Sequence, residues 1–293
     1  MSRKIILGGI LIVSVCLLGA ILAGAGSWVW SFARPQPSPA SQQLYEGINY
    51  ERIVRRSPRP IVIHVVTVDL RAEGIRFLVT PGDPDSARPL EARTTSKFLN
   101  EYNQQIAING DGFQPWRSYS LLNYYPHSGD PVSPIGLAAS EGTVYHSAAE
   151  NLPVLYIART NQARFNTPTG RVYNAISGSQ MLVEQGQGVA IADENPEPRT
   201  AVALDKSGKR LILIVVDGRQ PNFSEGATLS ELAEIIIEQG GYFGMNLDGG
   251  GSTTLVKAGR FGRAEVLNSP IDHRIPGWQR PVGNHLGITA NPK

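Results

Sequence analysis

The sequence predicts an α+β fold, with one domain on a mixed, twisted β-sheet with few helices, set behind an N-terminal transmembrane helix. Three observations lead there. Short β-branched runs bounded by Gly, Pro, Asn and Asp recur along the chain, which is how strands closed by turns read. Two stretches, around residues 94–102 and 228–239, carry helical spacing behind a capping residue. An uncharged apolar run fills residues 5–30.

The bulk composition sets limits first. The 293 residues suffice for one large domain or two small ones, and 41% hydrophobic with 18% charged residues supports a real core. A formal net charge of +2, without a Lys/Arg run along any face, argues against a nucleic-acid partner. The single cysteine, Cys16, excludes an intrachain disulfide framework and a Cys-based zinc site.

Residues 1–30 read as a membrane anchor or signal segment. Arg3 and Lys4 precede the apolar run, which is long enough for a hydrocarbon core of about 30 Å. Trp28 and Trp30 stand where an interfacial aromatic belt belongs. Basic residues stay in the cytoplasm, so everything after Trp30 is expected outside it. A cleaved signal peptide ending at Ala23-Gly24-Ala25 is the alternative and would make the domain secreted; the run exceeds the usual apolar region of about 7–15 residues, which favours the anchor. Residues 31–43, with Pro35, Pro37 and Pro39, predict an extended, unpacked linker. The folded domain is expected over residues 44–293.

Within it, Ile61 to Leu70 reads as a central strand, with His64 a core residue. A helix follows at 94–102, capped by Thr94 or Thr95, and then the strand Gln105–Ile108 enters Asn109-Gly110-Asp111-Gly112-Phe113. By itself that turn is an ordinary Asn-Gly hairpin. Residues 116–134 form a long loop whose Trp116, Tyr119, Tyr124 and Tyr125 either stack on a sugar or pack the loop onto the body. Leu211 to Val216 is an uninterrupted apolar run, the mark of a strand buried on both faces, and it ends in Asp217-Gly218-Arg219. Thr228-Leu229-Ser230-Glu231 fits a capping box, and Gly240-Gly241 closes that helix. The next strand runs into Asp248-Gly249-Gly250-Gly251-Ser252-Thr253-Thr254. Three glycines between two strands suit a tight bend or the close approach of a ligand to bare backbone. If the strands flanking the helix run parallel, both carboxyl ends meet on one sheet edge, where open sheets bind ligands. Asp217, Arg219, Asp248 and the glycines then converge.

These motifs resemble the phosphodiester glycosidase family over roughly residues 50–288. The most specific part is Met245 to Thr254 with Asp217-Gly218-Arg219 upstream; Ile108-Asn109-Gly110, Ile176-Ser177-Gly178, Pro198-Arg199-Thr200-Ala201, Gly226-Ala227-Thr228-Leu229, Asn268-Ser269-Pro270 and Arg280-Pro281-Val282-Gly283-Asn284 support it. Two turns depart from the family pattern. Asp111-Gly112-Phe113 replaces a Gly with two Phe, and Ser179-Gln180 replaces Gly-Pro; both bear on which sugar is accepted. The resemblance implies an exported hydrolase that cleaves a sugar from a sugar-1-phosphodiester of the cell envelope or of exopolysaccharide. A non-catalytic polysaccharide-binding protein and a glycosyl transferase of exopolysaccharide assembly are the alternatives.

For that chemistry Asp248 is expected as nucleophile or base and Asp217 as its partner, with Asp111 a third acid. Arg199, Arg219 and Arg280 are the candidate phosphate forks, and the amides of Gly249, Gly250 and Gly251 a candidate anion nest. Asn109, Asn246, Ser252 and Thr253 are expected on sugar hydroxyls or phosphate, and Gly178, Thr200 and Asn284 complete the expected substrate site. His64, His127, His146, His273 and His285 are scattered, so no cofactor is expected; a divalent cation held by Asp217, Asp248 and phosphate stays open as an alternative.

Overall fold

The computed structural model describes residues 33–147, 151–190 and 195–293, and positions 19 and 29 singly; the anchor expected at 5–30 otherwise lies outside the described residues. Among the described residues no helix is long and apolar enough to cross a membrane.

In chain order the elements used below begin with β1 (Ala40–Tyr45), β2 (Ile48–Arg55), β3 (Ile61–Asp69), β4 (Arg76–Val79), α1 (Thr95–Glu101) and β5 (Ile106–Asn109). They continue with β6 (Asn174–Ser177), β7 (Gln180–Glu184), β8 (Arg199–Asp205), β9 (Arg210–Val216), α2 (Leu229–Glu238), β10 (Gly241–Asn246), β11 (Leu255–Ala258), β12 (Ala264–Val266) and β13 (His285–Thr289). The fold is mostly β, with two α-helices among the described residues.

The main sheet has eight strands in the order β1-β2-β3-β9-β8-β10-β7, closed by a two-residue strand at Gln187–Gly188. A five-stranded sheet, β12-β11-β5-β13-β4, packs against it, and a third sheet contains β6. Every ladder in the main and second sheets is antiparallel, so the expected mixed sheet is corrected. β9 and β10 do run in the same direction, but antiparallel β8 lies between them and pairs with both. Their carboxyl ends still reach one edge of the sheet.

The apolar run of β9 follows from its burial. Leu211, Leu213 and Val215 face a core shared with Ile106, Ile108, Leu286 and Ile288 of the second sheet. Ile212, Ile214 and Val216 face the opposite way, onto Leu232, Ile235 and Ile236 of α2. Successive side chains alternate faces, so a strand covered on both sides needs no polar position. α2 opens with the expected capping box, Thr228 Oγ1 accepting from Glu231 N at 3.1 Å and Glu231 Oε2 from Thr228 N at 2.8 Å. α1 packs Phe98 and Leu99 onto Ala107 and Val256.

The linker is packed rather than free. The Arg34 guanidinium lies 3.8 Å over the Phe223 ring and donates to Gln220 and Ser269. Gln36 Nε2 donates to the Arg55 carbonyl at 2.9 Å, Arg52 Nε to the Ser38 carbonyl at 2.8 Å, and β1 starts at Ala40, ahead of the expected domain start. Alternating prolines favour an extended segment, and the Arg34 and Gln36 side chains anchor it to the domain.

Candidate active site

The chain leaves β10 through a turn held by three main-chain bonds to two segments, residues 198–200 and Gly110. Leu247 N donates to the Thr200 carbonyl at 2.8 Å, Asp248 N to that of Gly110 at 3.0 Å, and Gly250 N to that of Pro198 at 2.8 Å. Gly250 then takes φ +60°, where a side chain is strained, and opens a 3-10 turn through Ser252. A Cβ on Gly251 would sit 2.4 Å from Arg280 Nη2 and 2.5 Å from Asp272 Oδ1. Bare backbone here is what lets Arg280 close on the turn.

Asn109, at the end of β5, clamps this turn from behind. Its Nδ2 donates to the Asp248 carbonyl at 2.7 Å, and its Oδ1 accepts from Thr200 Oγ1 at 2.8 Å and from Thr254 N at 3.1 Å. Asn109 and Thr200 are fully buried and do not line the cleft, which corrects their expected contact with substrate. Ser252, Thr253 and Asn284 are likewise buried behind its wall. Ser252 Oγ accepts from Arg280 Nη1 at 3.3 Å, and the Thr253 carbonyl accepts from Asn268 Nδ2 at 3.2 Å.

In front of the turn is an open cleft of about 530 Å³. Asp248, Gly249, Gly250 and Gly251 form one wall; Arg199, Arg219, Arg280, Asp111, Asn246, Gly178 and Trp116 are among the other lining residues. Each guanidinium is held. Arg280 Nε donates to Asp272 Oδ1 at 2.9 Å, and its guanidinium lies 5.1 Å from the Trp116 ring centre. Arg219, at φ +58°, pairs with Glu197. Arg199 donates to the Ala227 and Asn195 carbonyls, both at 3.0 Å. Fixed forks of this kind suit phosphate oxygens. Asn246 Nδ2 donates to Ser179 Oγ at 2.9 Å, while its Oδ1 has no partner within the protein.

Three acids line this cleft: Glu197, which is paired with Arg219, and the two aspartates Asp248 and Asp111. Water reaches Asp248 from the cleft side, but protein crowds its other sides. Desolvation raises its pKa, opposed by the Ser252 hydroxyl, the Arg280 charge and the Gly249 N–H, which donates to Oδ1 at 2.9 Å. Asp111 is 3% exposed and neither of its oxygens has a hydrogen-bond partner within the protein. Burial pushes it up to about 7, and the charge of Asp248 adds to the rise. The Asn284 amide and the Gly136 N–H favour its carboxylate from positions where no hydrogen bond closes.

Asp217 is not at this site. Its main-chain N–H extends the ladder by donating to the Val62 carbonyl at 3.0 Å, and its side chain turns into the core. Oδ2 lies 3.0 Å from His64 Nε2, and Oδ1 accepts from Ser269 N at 2.7 Å and Asn268 Nδ2 at 3.1 Å. The expected pairing of Asp217 with Asp248 as the two working acids is therefore corrected, and a cation shared between them meets a carboxylate already satisfied on both oxygens. The cause is a neighbour from the sheet: β3 presents His64 beside β9. Among the described residues no group of three His, Cys, Asp or Glu side chains is arranged to hold a metal.

Sequence reasoning missed Glu197, which lines the cleft and holds Arg219. Its only signal was adjacency to Pro198-Arg199; its main-chain bridge to Ala227 brings it to the site.

Comparison with known proteins gives a concordant picture. A family model described as phosphodiester glycosidase matches residues 96–289. N-acetylglucosamine-1-phosphodiester alpha-N-acetylglucosaminidase of Bos taurus is 40% identical over 75 residues, which is 26% of this chain and 13% of that protein. The match thus spans about an eighth of the bovine protein's length. A hypothetical protein from Synechocystis superposes with a TM-score of 0.65 at 17% identity, over 87% of this chain and 64% of that one. The catalytic domain of the zebrafish N-acetylglucosamine-1-phosphodiester alpha-N-acetylglucosaminidase, auto-inhibited by its pro-peptide, superposes with 0.58 at 21% identity, over 86% and 84%. A putative exported protein from Burkholderia pseudomallei gives 0.56 at 14% identity, over 80% and 75%. At these identities the three structures share the fold.

Proposed function

The chain belongs to the phosphodiester glycosidase family, and we propose that its cleft hydrolyses the link between a sugar's anomeric carbon and the phosphate of a sugar-1-phosphodiester. One observation carries this reading: the Asp248 carboxylate and the bare Gly249–Gly251 backbone form one wall of a cleft whose other walls present Arg199, Arg219 and Arg280. Three guanidinium groups suit a phosphate, and a carboxylate suits the positive charge that develops at a sugar carbon.

The reaction breaks the bond from C1 to the bridging oxygen. The electron pair leaves with that oxygen on the phosphate, giving a phosphomonoester, and the oxygen of water ends on C1. Asp248 faces C1 as nucleophile or base. Asp111 takes the place expected for Asp217. Lining the cleft with Asp248 and keeping its proton up to about 7, it is the acid that this reading assigns to the departing oxygen. Phosphate leaves readily, so this proton transfer is the smaller contribution. The Arg forks hold the phosphate in line.

The reading extends to location. The domain acts outside the cytoplasm on cell-envelope or exopolysaccharide glycans, held at the membrane by residues 5–30; the support is the uncharged run behind Arg3 and Lys4.

The test is incubation with sugar-1-phosphodiesters, N-acetylglucosamine-1-phosphodiesters first, following free sugar and phosphomonoester. Release by the native chain and its loss in Asp248→Asn is the expected result. Tight binding without product would make this a binding protein, and product only with an acceptor sugar would make it a transferase.

A further inference from the structure

Beside the cleft, Arg117–Ser120 pairs with Asn123–Tyr125 as a short antiparallel hairpin. Its tip is apolar and bare: Leu122 is 97% exposed, Tyr119 79% and Leu121 53%. Trp116, at its base, is 52% exposed and lines the cleft. Scattered apolar side chains are normal on a surface, but adjacent leucines between aromatic residues make a composition that the bilayer interface takes up. Between Asp111 and Asp130 there is no Asp or Glu, while Arg117 is present; His127 is already engaged by Asp130, 3.2 Å away. That charge balance suits anionic headgroups.

A second observation concerns where the hairpin sits. Ser118 Oγ lies 3.3 Å from His273 Nδ1, and the Tyr124 ring meets the His273 ring edge-on at 4.8 Å. Four residues earlier, Ser269 accepts from Arg34. The stretch from Ser269 to His273 spans at most about 14 Å. One short segment therefore holds both the base of the hairpin and the point where the N-terminal segment docks. Only residues 31, 32 and 33 separate Arg34 from the apolar run that ends at Trp30.

From these we infer that the hairpin seats the side chains of Tyr119, Leu121 and Leu122 in the headgroup layer of an anionic bilayer, holding the mouth of the cleft at the membrane surface. The inference rests on the membrane location proposed above. Trp116 bridges the two functions: one element both rims the cleft and adjoins the inserted tip.

The full chain tests it. Cys16→Ser leaves no other thiol, and a single label site is then introduced as Leu122→Cys or, in the turn between β8 and β9, at the end of the main sheet opposite the cleft, as Ser207→Cys. Each chain carries a nitrobenzoxadiazole label and is reconstituted into phosphatidylcholine–phosphatidylglycerol vesicles with or without nitroxide lipid. Flotation reports the anchor independently, and neither readout involves turnover, so a failure of the glycosidase reading leaves the test intact. The expected result is a blue-shifted emission at position 122 that nitroxide lipid quenches, with aqueous emission at 207. A chain that floats while its 122 label stays aqueous overturns the docking and spares the anchor. A chain that does not float overturns both. A shift at 122 that follows protein concentration and ignores nitroxide lipid puts a second copy of the chain on the hairpin, which also overturns the lipid assignment.

Discussion

Asp217 Oδ2 lies 3.0 Å from His64 Nε2 in the core of the main sheet, and His64 Nδ1 meets the Tyr50 hydroxyl at 2.9 Å. The acid that ends β9 thus ties three strands together, and through Asn268 and Ser269 it braces the back of the glycine turn. Asp217→Ala strands the Ser269 N–H and the His64 Nε2 in a dry interior, while the half-buried Asn268 amide keeps its bond to the Thr253 carbonyl. A loss of stability on the order of 3 kcal/mol is expected, since each orphaned buried group costs roughly 1–3 kcal/mol. Denaturant unfolding measures it. An Asp217→Ala chain of native stability whose turnover alone is abolished would return Asp217 to the catalytic machinery.

Asp248→Asn should do the reverse. The amide oxygen can still accept from Gly249 N, the bond seen at 2.9 Å, so thermal unfolding should hardly move. Hydrolysis of a sugar-1-phosphodiester should fall by about 10³-fold, within the range for losing a positioned carboxylate. Steady-state kinetics beside a melting curve separates the two acids. Equal turnover in Asp248→Asn and native chain would refute the assignment.

The pH profile follows from Asp111. Burial holds its proton up to about 7, so an acid role predicts kcat/KM that declines as pH rises through about 7. Asp111→Asn cannot ionise, so its residual rate should lack this limb. A limb that survives the substitution belongs to another group.

The same shift makes a stability prediction of definite sign. The folded value, about 7, lies above the ordinary 3.8. Asp111 therefore weighs least on the fold below 3.8, where both states are neutral, and its burden grows as pH rises through about 7. At about 1.4 kcal/mol per pH unit between those values, the upper bound is about 4 kcal/mol. Asp111→Asn should raise Tm over the native chain at pH 8 and lose that advantage near pH 4. An unchanged difference between the two pH values would mean that Asp111 is not buried as a neutral acid.

Legibility in the sequence followed how local each constraint was. The β9 run, the Thr228 capping box and the triglycine turn each write their physics within a few neighbouring residues, and each stands where the sequence put it. The meeting of the β9 and β10 ends was also legible, though the intervening β8 was not, because strand order is a long-range property. Asp217 was misread because its partner His64 is 153 residues away, and the linker because Arg34 finds Gln220 at a separation of 186. Asp111 was legible as a third acid, but not as the one that stands beside Asp248. The groups around its carboxyl come from segments as distant as Gly136 and Asn284.

Gly251→Ala tests whether the bare turn serves the arginine fork. The added methyl would begin 2.4 Å from Arg280 Nη2 and 2.5 Å from Asp272 Oδ1, so the pair must open. Arg280 would then lose its bond to Asp272 and its place over Trp116, while Asn109 keeps its bond to the Asp248 carbonyl. If Arg280 grips the phosphate in ground and transition states alike, KM should rise about 10-fold or more with kcat nearly kept, consistent with loss of a charge-assisted hydrogen bond worth roughly 1.5–3 kcal/mol. A fall confined to kcat would instead mean that Arg280 engages only as charge moves onto the departing oxygen. Unaltered kinetics in a folded Gly251→Ala chain would remove Arg280 from the phosphate site altogether.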